Sequence, residues 1–325
     1  MTAISVKGLT KSYGDLVAVK DATFEVPLGT ICGFVGPNGS GKTTTIRMLL
    51  SLIAPTSGSG EILDQPISHP ERYLSRVGAM IEGPAFYPAL TGAENLRVIA
   101  TLGGFSLDRI PRLLETVGLG DRGDDKYKTY SLGMKQRLGI AAALLPEPKL
   151  LILDEPTNGL DPAGIQEIRD LLSKLAKDGV TVFVSSHLLS EIEMISEYLV
   201  MLRKGEVIFF GRTEELLHRS RPIIVVKATK TSDLKRLKKL VVEVGHPAVL
   251  EGDELRIDAD EKWGAELNEL AFDNGITLRQ ITPVRPTLEE TFFDMTEERD
   301  EIFRAEWRKL RRPTLSLEAW GLSLR

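Results

Sequence analysis

The sequence predicts an α/β protein: a buried parallel sheet interrupted by an inserted helical segment, with a small α+β unit after it. Three observations carry that prediction. The runs "TICGFVG", "KLLILDEP" and "VTVFVSSH" are continuously apolar and each passes into a helix-like pattern, as parallel strands covered on both faces do. Between Thr91 and about Leu145 the apolar spacing turns helical. After Gly211 the character changes, with "LLHRSRP" reading as a linker and residues 222 to 281 as strand, helix, strand, helix, strand.

In chain order, "ISVKGL" and "VAVKDATFEV" read as strands before "TICGFVG", and "KTTTIRMLLSLI" reads as a helix closed by a turn at "APTSGSG". The insert, about residues 88 to 145, supplies "GAENLRVIATLGG" and "IPRLLETVGLG" as helices. The expected divisions are therefore residues 1 to 220, 221 to 295 and a tail from 296 to 325. No internal repeat or low-complexity stretch is evident. With 325 residues, 42% hydrophobic and 27% charged, the chain has room for one large domain and a smaller one. A net charge of −5 and a pI of about 5.6 provide no global basic field, so nucleic acid is not an expected partner. The N-terminus lacks the order of a signal peptide and no apolar run approaches the roughly 20 residues of a membrane span, so a cytoplasmic location is expected. The single Cys32 excludes an internal disulfide, and its apolar neighbours make it an expected core residue.

The stretch "VGPNGSGKTTT" fits G-x-x-x-x-G-K-S/T with Gly36, Gly41, Lys42 and Thr43, and it lies between a predicted strand and a predicted helix. Along Gly36, Pro37, Asn38, Gly39, Ser40 and Gly41 the backbone can close its N–H groups around phosphates, and the helix N-terminus adds partial positive charge. Lys42 supplies a full charge to terminal phosphates, Thr43 offers a hydroxyl to Mg²⁺, and Thr44 can add a phosphate contact. A nucleotide site is expected here.

In "KLLILDEPTNGLDP" two carboxylates stand at the carboxyl end of an apolar strand, the edge at which open α/β sheets bind ligands. Asp154 suits Mg²⁺, directly or through water. Glu155, one residue on, points elsewhere and can polarise a water for attack on a γ-phosphate. The plainer alternative is a pair of acids in a helix-capping turn.

Together these motifs resemble the ATP-binding cassette (ABC) family over about residues 1 to 220. "YSLGM", from Tyr130 to Met134, stands at the place of the family signature "LSGGQ". "GLDP" looks like the D-loop and includes Asp161, "SSHLL" carries His187 at the switch position, and Tyr13 in "LTKSYG" stands where the family stacks a ring on adenine. The resemblance implies a P-loop NTPase fold with a parallel core sheet, an antiparallel β subdomain and an inserted α-helical subdomain. It also implies ATP with Mg²⁺, Glu155 as general base, and His187 contacting the γ-phosphate. Ser131 and Gly133 would face the γ-phosphate held by a second copy, so that a homodimer closes around two ATP and drives a separate membrane permease from the inner face of the membrane. Plainer readings stand beside these: Tyr13 as a core aromatic, His187 as a capped-turn histidine, and Ser131 as an ordinary N-cap, a role compatible with anion binding.

Two departures from the family pattern matter. Leu132 and Met134 replace a glycine and a glutamine of the signature, and Glu82 in "RVGAMIEGPAFYPALTGAENL" stands where most of the family has glutamine. A carboxylate only accepts hydrogen bonds and binds a hard cation more strongly, so Glu82 joins Thr43 and Asp154 as an expected Mg²⁺ ligand, with a solvated loop acid as the alternative. Such a glutamate followed by a "P-x-F/Y-Y-P-x-L" run looks like the subset of bacitracin and lantibiotic self-protection exporters, which implies export of an antimicrobial peptide or drug. Phe86 and Tyr87, between Pro84 and Pro88, read equally as a contact surface for the permease or as packing of the insert on the core. The closing "PTLEETFFDMT" also resembles that subset. In the tail, basic residues from Arg304 to Arg312 surround Phe303, Trp307 and Leu310, which suits contact of residues 302 to 312 with an anionic membrane surface, or a solvated terminus. Two rival classes are a soluble cassette ATPase acting on ribosomes or DNA and an ATP-gated clamp with little turnover. The first usually carries two cassettes or long coiled-coil insertions, and the retained Glu155 and His187 argue against the second.

Overall fold

The structure, a computed structural model, describes residues 1 to 297 apart from 84, 220, 221, 285 and 286. The expectations for Pro84 and for residues 302 to 312 fall outside the described residues. The chain divides into two compact units, Met1–Leu216 and Leu217–Arg325.

The first unit contains strands β1 (Thr2–Tyr13), β2 (Leu16–Pro27), β3 (Ile31–Val35), β4 (Ser57–Ile62), β5 (Gln65–Pro66), β6 (Val77–Met80), β7 (Leu150–Asp154), β8 (Thr181–Ser186), β9 (Tyr198–Arg203) and β10 (Glu206–Arg212). Its helices are α1 (Lys42–Leu49), α2 (Gly92–Gly103), α3 (Ile110–Thr116), α4 (Leu132–Ala143), α5 (Pro162–Lys177) and α6 (Leu189–Glu193), and the boundary between the units falls within α7 (Thr213–Arg219). The segment read as a linker is thus helical in its first half.

Among the described residues one sheet runs β2-β1-β4-β5, antiparallel throughout, and a larger one runs β10-β9-β3-β8-β7-β6. In the larger sheet β9, β3, β8, β7 and β6 are parallel and β10 is an antiparallel edge. Every residue of β3, β7 and β8 is buried, which accounts for their unbroken apolar character. Phe24 of β2 reaches Phe34 of β3 and Phe183 of β8 at ring-centroid separations of 5.8 and 6.3 Å, and Phe34 lies 4.9 Å from Phe183. This buried aromatic cluster joins the antiparallel sheet to the parallel one.

The run expected to be a turn, "APTSGSG", enters the strand β4 at Ser57. Gly58 lies at φ +83° and a Cβ there would stand 2.1 Å from the carbonyl oxygen of Gly8. The pairing of β4 with β1 shifts register between Lys7 and Thr10, beside this crossing. The glycine therefore permits two backbones to approach at a bulge and does not end the element. The helical insert forms as α2, α3 and α4. A reciprocal cap opens α2: Thr91 Oγ1 accepts from the Glu94 N–H at 3.1 Å while Glu94 Oε2 accepts from the Thr91 N–H at 2.7 Å.

The second unit is β11 (Ile223–Ala228), α8 (Thr231–Glu243), β12 (Ala248–Glu251), β13 (Glu254–Asp258), α9 (Gly264–Asp273), β14 (Leu278–Val284) and α10 (Leu288–Glu297). Where one middle strand is expected, the chain forms a hairpin: Glu251 pairs with Glu254 across the two-residue turn Gly252–Asp253. The antiparallel order β12-β13-β11-β14 makes it a split βαβ, ferredoxin-like sheet. Leu234, Leu237 and Val241 of α8 and Leu267 and Ala271 of α9 meet Ile224, Val226, Leu255 and Ile257 in its core.

Candidate functional site

The order of the parallel sheet sets β3, β8 and β7 side by side, so their carboxyl ends share one edge. From β3 the chain enters the phosphate loop and then α1. Gly41, at φ +104°, sits where a Cβ would approach the Ala18 carbonyl oxygen to 2.6 Å, so a side chain there would both strain the turn and collide with backbone. Lys42 is only 6% exposed. Its Nζ donates to the Gly36 carbonyl at 2.7 Å and the Pro37 carbonyl at 3.4 Å, and pairs with Glu155 Oε1 at 3.2 Å. Ser40 Oγ is buried without a hydrogen-bond partner inside the same loop.

From β7 the chain delivers Asp154 and Glu155. Thr43 Oγ1 donates to Asp154 Oδ2 at 2.7 Å. The strand register pairs Asp154 with Ser185 of β8, and the Ser185 hydroxyl donates to Asp154 Oδ1. The same hydroxyl accepts from the Glu155 N–H at 2.9 Å. Glu155 has φ +51°, a left-handed conformation that costs a non-glycine residue about 1–3 kcal/mol and persists where its surroundings hold it. This turn sends its side chain away from that of Asp154 and toward β8. There Glu155 Oε2 lies 2.7 Å from His187 Nδ1 and accepts from the His187 N–H at 3.3 Å. His187 precedes α6, whose N-cap is Leu188, so the histidine does not cap that helix.

Tyr13 is 49% exposed, with Lys11 Nζ 5.1 Å above its ring. It borders a groove of about 550 Å³ shared with Asn38, Gly39, Thr43, Thr44 and Glu155. An exposed ring at the mouth of a phosphate groove suits stacking on a base and not core packing. Thr43 and Asp154 give an adjacent hydroxyl and carboxylate, hard oxygen donors that fit Mg²⁺, which retains several waters and takes few protein ligands. Among the described residues no cluster of three or more His, Cys, Asp and Glu is arranged to hold a metal.

Glu82 was expected beside Thr43 and Asp154 as a Mg²⁺ ligand. It lies two residues beyond β6 at φ +59°, is 68% exposed, and gives its carboxylate to Arg47 in the last turn of α1, not to Thr43 or Asp154. The aromatic pair beside it divides its work. Phe86 packs edge-on to Tyr127 of the helical insert at 5.2 Å, whereas Tyr87 is 62% exposed. Buried Asn95 pins this loop, accepting from the Tyr87 N–H at 2.8 Å and donating to the Tyr87 and Thr91 carbonyls at 3.1 and 2.9 Å.

Ser131 caps α4 by accepting from the Met134 N–H at 3.2 Å, and Asp161 caps α5 by accepting from the Gly164 N–H at 2.9 Å. Gly133 follows in the first turn of α4, and the half-exposed Leu132 lies against Gly159. Sequence reasoning missed Ser185 and Arg47. A serine inside the apolar run "VTVFVSS" was the one local signal for Ser185. Cys32 is buried as expected, and desolvation pushes its thiol pKa well up, which keeps it inert.

A parallel sheet that feeds a phosphate loop and a paired-acid strand into one edge defines a nucleotide-hydrolysing P-loop protein. Residues 19–158 match the ABC transporter family. The chain is 41% identical over 296 residues to the bacitracin transport ATP-binding protein BcrA of Enterococcus faecalis, covering 89% of this chain and 94% of that one. It is 42% identical over 205 residues to the lantibiotic transport ATP-binding protein SrtF of Streptococcus pyogenes, covering 63% and 89%. A dimeric ATP-binding cassette solved in a post-hydrolysis state with ADP and Pi superposes with a TM-score of 0.57 at 27% identity, covering 65% of this chain and 98% of that one. The chain belongs to the ATP-binding subunits of ABC transporters, ATPases whose hydrolysis is coupled to transport. Among the described residues no helix is long and apolar enough to cross a membrane.

Proposed function

We propose that this chain is the ATP-hydrolysing subunit of an exporter of peptide antibiotics, acting as a homodimer at the inner membrane face on a separate permease. The observation that carries the catalytic part is Glu155, held between Lys42 and His187 at the edge where Thr43 meets Asp154. The relatives that transport bacitracin and a lantibiotic support the substrate class, and the dimeric neighbour supports pairing of cassettes.

In this reading the phosphate loop binds the nucleotide through its backbone N–H groups, and Tyr13 takes the base. Lys42 leaves the Gly36 and Pro37 carbonyls and Glu155 for the terminal phosphate, where full charge has more to stabilise. Glu155 is thereby released to accept the proton of the attacking water. His187 holds that carboxylate through Nδ1 and has Nε2 for a phosphate oxygen. Thr43 and Asp154 would hold Mg²⁺, which when bound neutralises charge on the phosphate oxygens. Ser131 and Gly133 offer the N-terminus of α4 to the nucleotide of the second copy, and Asp161 shapes the loop beside it. Tyr87, exposed on a loop pinned by Asn95, is a contact point for the permease.

The test is to express the chain together with a candidate membrane permease in a peptide-antibiotic-sensitive bacterium. Resistance to bacitracin or a lantibiotic that disappears with Glu155→Gln is expected. Resistance that persists in that variant would overturn the catalytic assignment, and ATPase activity without any gain in resistance would overturn the substrate class.

A further inference from the structure

Two loops carry the proposed chemistry, one leaving β7 with Glu155 and one leaving β8 with His187. They touch first through the reacting groups themselves, Glu155 Oε2 on His187 Nδ1 at 2.7 Å. They touch again where no reactant is involved. Thr157, buried two residues beyond Glu155, donates its hydroxyl to Glu191 Oε2 at 2.7 Å. Glu191 lies four residues beyond His187, in the first turn of α6.

We infer that Thr157 and Glu191 form a brace that positions Glu155 against His187 for hydrolysis. The inference rests on the reading of those two residues given above. The first contact must loosen whenever Glu155 turns to a water or takes its proton, so it cannot by itself fix the distance between the loops. The second can persist through that change because neither group lines the groove beside the phosphate loop. A hydroxyl giving its proton to a carboxylate in a partly buried site is a strong hydrogen bond, and breaking it from one side strands the other.

Both loops need such a restraint. Glu155 holds a left-handed conformation, with its N–H on the Ser185 hydroxyl at 2.9 Å and its carbonyl on the Asn158 N–H at 3.1 Å, and beyond that turn Thr157 is the side chain that fastens the loop to α6. Helix α6 is five residues long with no side-chain N-cap, so it is too short to hold itself. Leu189 and Ile192 bury one face of it, and Glu191 fixes its rotation toward the β7 loop. The plainer role for Thr157, capping α5, is already filled by Asp161. Thr157 and Glu191 are thus positioning residues and not catalytic ones.

The experiment compares Thr157→Val, Thr157→Ser, Glu191→Gln and the Thr157→Val/Glu191→Gln double variant in the full chain, measuring ATPase kinetics, binding of a fluorescent ATP analogue and thermal melting. Misplacing a catalytic group by a fraction of an ångström predicts a kcat of Thr157→Val lower by about tenfold, with KM and analogue affinity within about twofold. Thr157→Ser, which keeps the hydroxyl, returns kcat to within about twofold of the unsubstituted chain. The double variant is no slower than Thr157→Val alone, because both changes break one contact. An unchanged kcat in Thr157→Val, a Thr157→Ser variant as slow as Thr157→Val, or losses that multiply in the double variant would overturn the brace. Should Thr157→Val fail to melt cooperatively, Glu191→Gln, with an acceptor oxygen retained and an expected loss of about threefold, carries the same comparison against Thr157→Ser. Glu155→Gln separates the two readings. Turnover surviving there removes the base and the brace together, whereas its loss alongside an unchanged Thr157→Val removes the brace alone.

Discussion

The two units of this chain place their polar atoms in opposite ways. In Met1–Leu216 the parallel sheet buries Lys42, Asp154, Ser185 and Thr157 at one edge and bonds them to one another or to neighbouring loops. In the C-terminal unit the core from Ile224 to Ile276 is hydrocarbon, and its ion pairs, Lys227 with Glu254 at 2.8 Å and Arg256 with Glu290 at 3.0 Å, stay in contact with solvent. Burying polar groups is unfavourable unless each is satisfied, so a fold that concentrates them has used them for chemistry. The C-terminal unit carries no such concentration among the described residues. The difference predicts that a substitution among the buried polar groups of the first unit is felt in turnover, and one in the core of the second in the stability of that unit alone.

Four substitutions press on that contrast, beginning with the largest effect. Glu155→Gln should lower kcat by about 10³-fold, a barrier increase of about 4 kcal/mol, while leaving nucleotide affinity intact; steady-state ATPase and equilibrium binding measure both. Next comes Leu237→Ala in the second core, which should destabilise that unit by about 2–5 kcal/mol through the cavity it leaves. Denaturant unfolding reads that loss, and an equally large fall in ATP binding would break the contrast between the units. Ser185→Ala removes the hydroxyl shared by Asp154 and the Glu155 N–H. It should cost about 1–3 kcal/mol of stability and lower kcat more than it lowers affinity, distinguishable by melting and kinetics on one preparation. The smallest effect is expected from Glu82→Gln, which removes an exposed pair with Arg47 worth about 0–1 kcal/mol. Its Mg²⁺ titration should match that of the unsubstituted chain, and a shifted requirement would show Glu82 leaving Arg47 for the cation.

What the sequence revealed, and what it hid, follows from distance along the chain. The phosphate loop was legible because its geometry is closed within a few residues, and the Asp154–Glu155 pair because a strand end fixes it. His187 could be placed at a strand edge, but its bond to Glu155 spans 32 residues and belongs to the sheet order. Ser185, Glu191 and Arg47 were hidden for the same reason: each acts on a residue in another element. Glu82 was legible as a strand-end acid, yet only the fold puts a cation on α1 within its reach. The strand at "SGSGEI" was hidden by its composition, since the same glycines that end an element elsewhere here allow β1 to come close. The hairpin of β12 and β13 was hidden by brevity, two short strands divided by a two-residue turn.

The hydroxyl of Ser185 stands between the two acids, giving its proton to one and receiving from the backbone of the other. Asp154 and Glu155 therefore cannot drift independently. A pull on the carboxylate that would face the metal is handed through one oxygen to the peptide that aims the base. The pocket is in this sense a single gear train, in which a displacement of one acid is carried to the other.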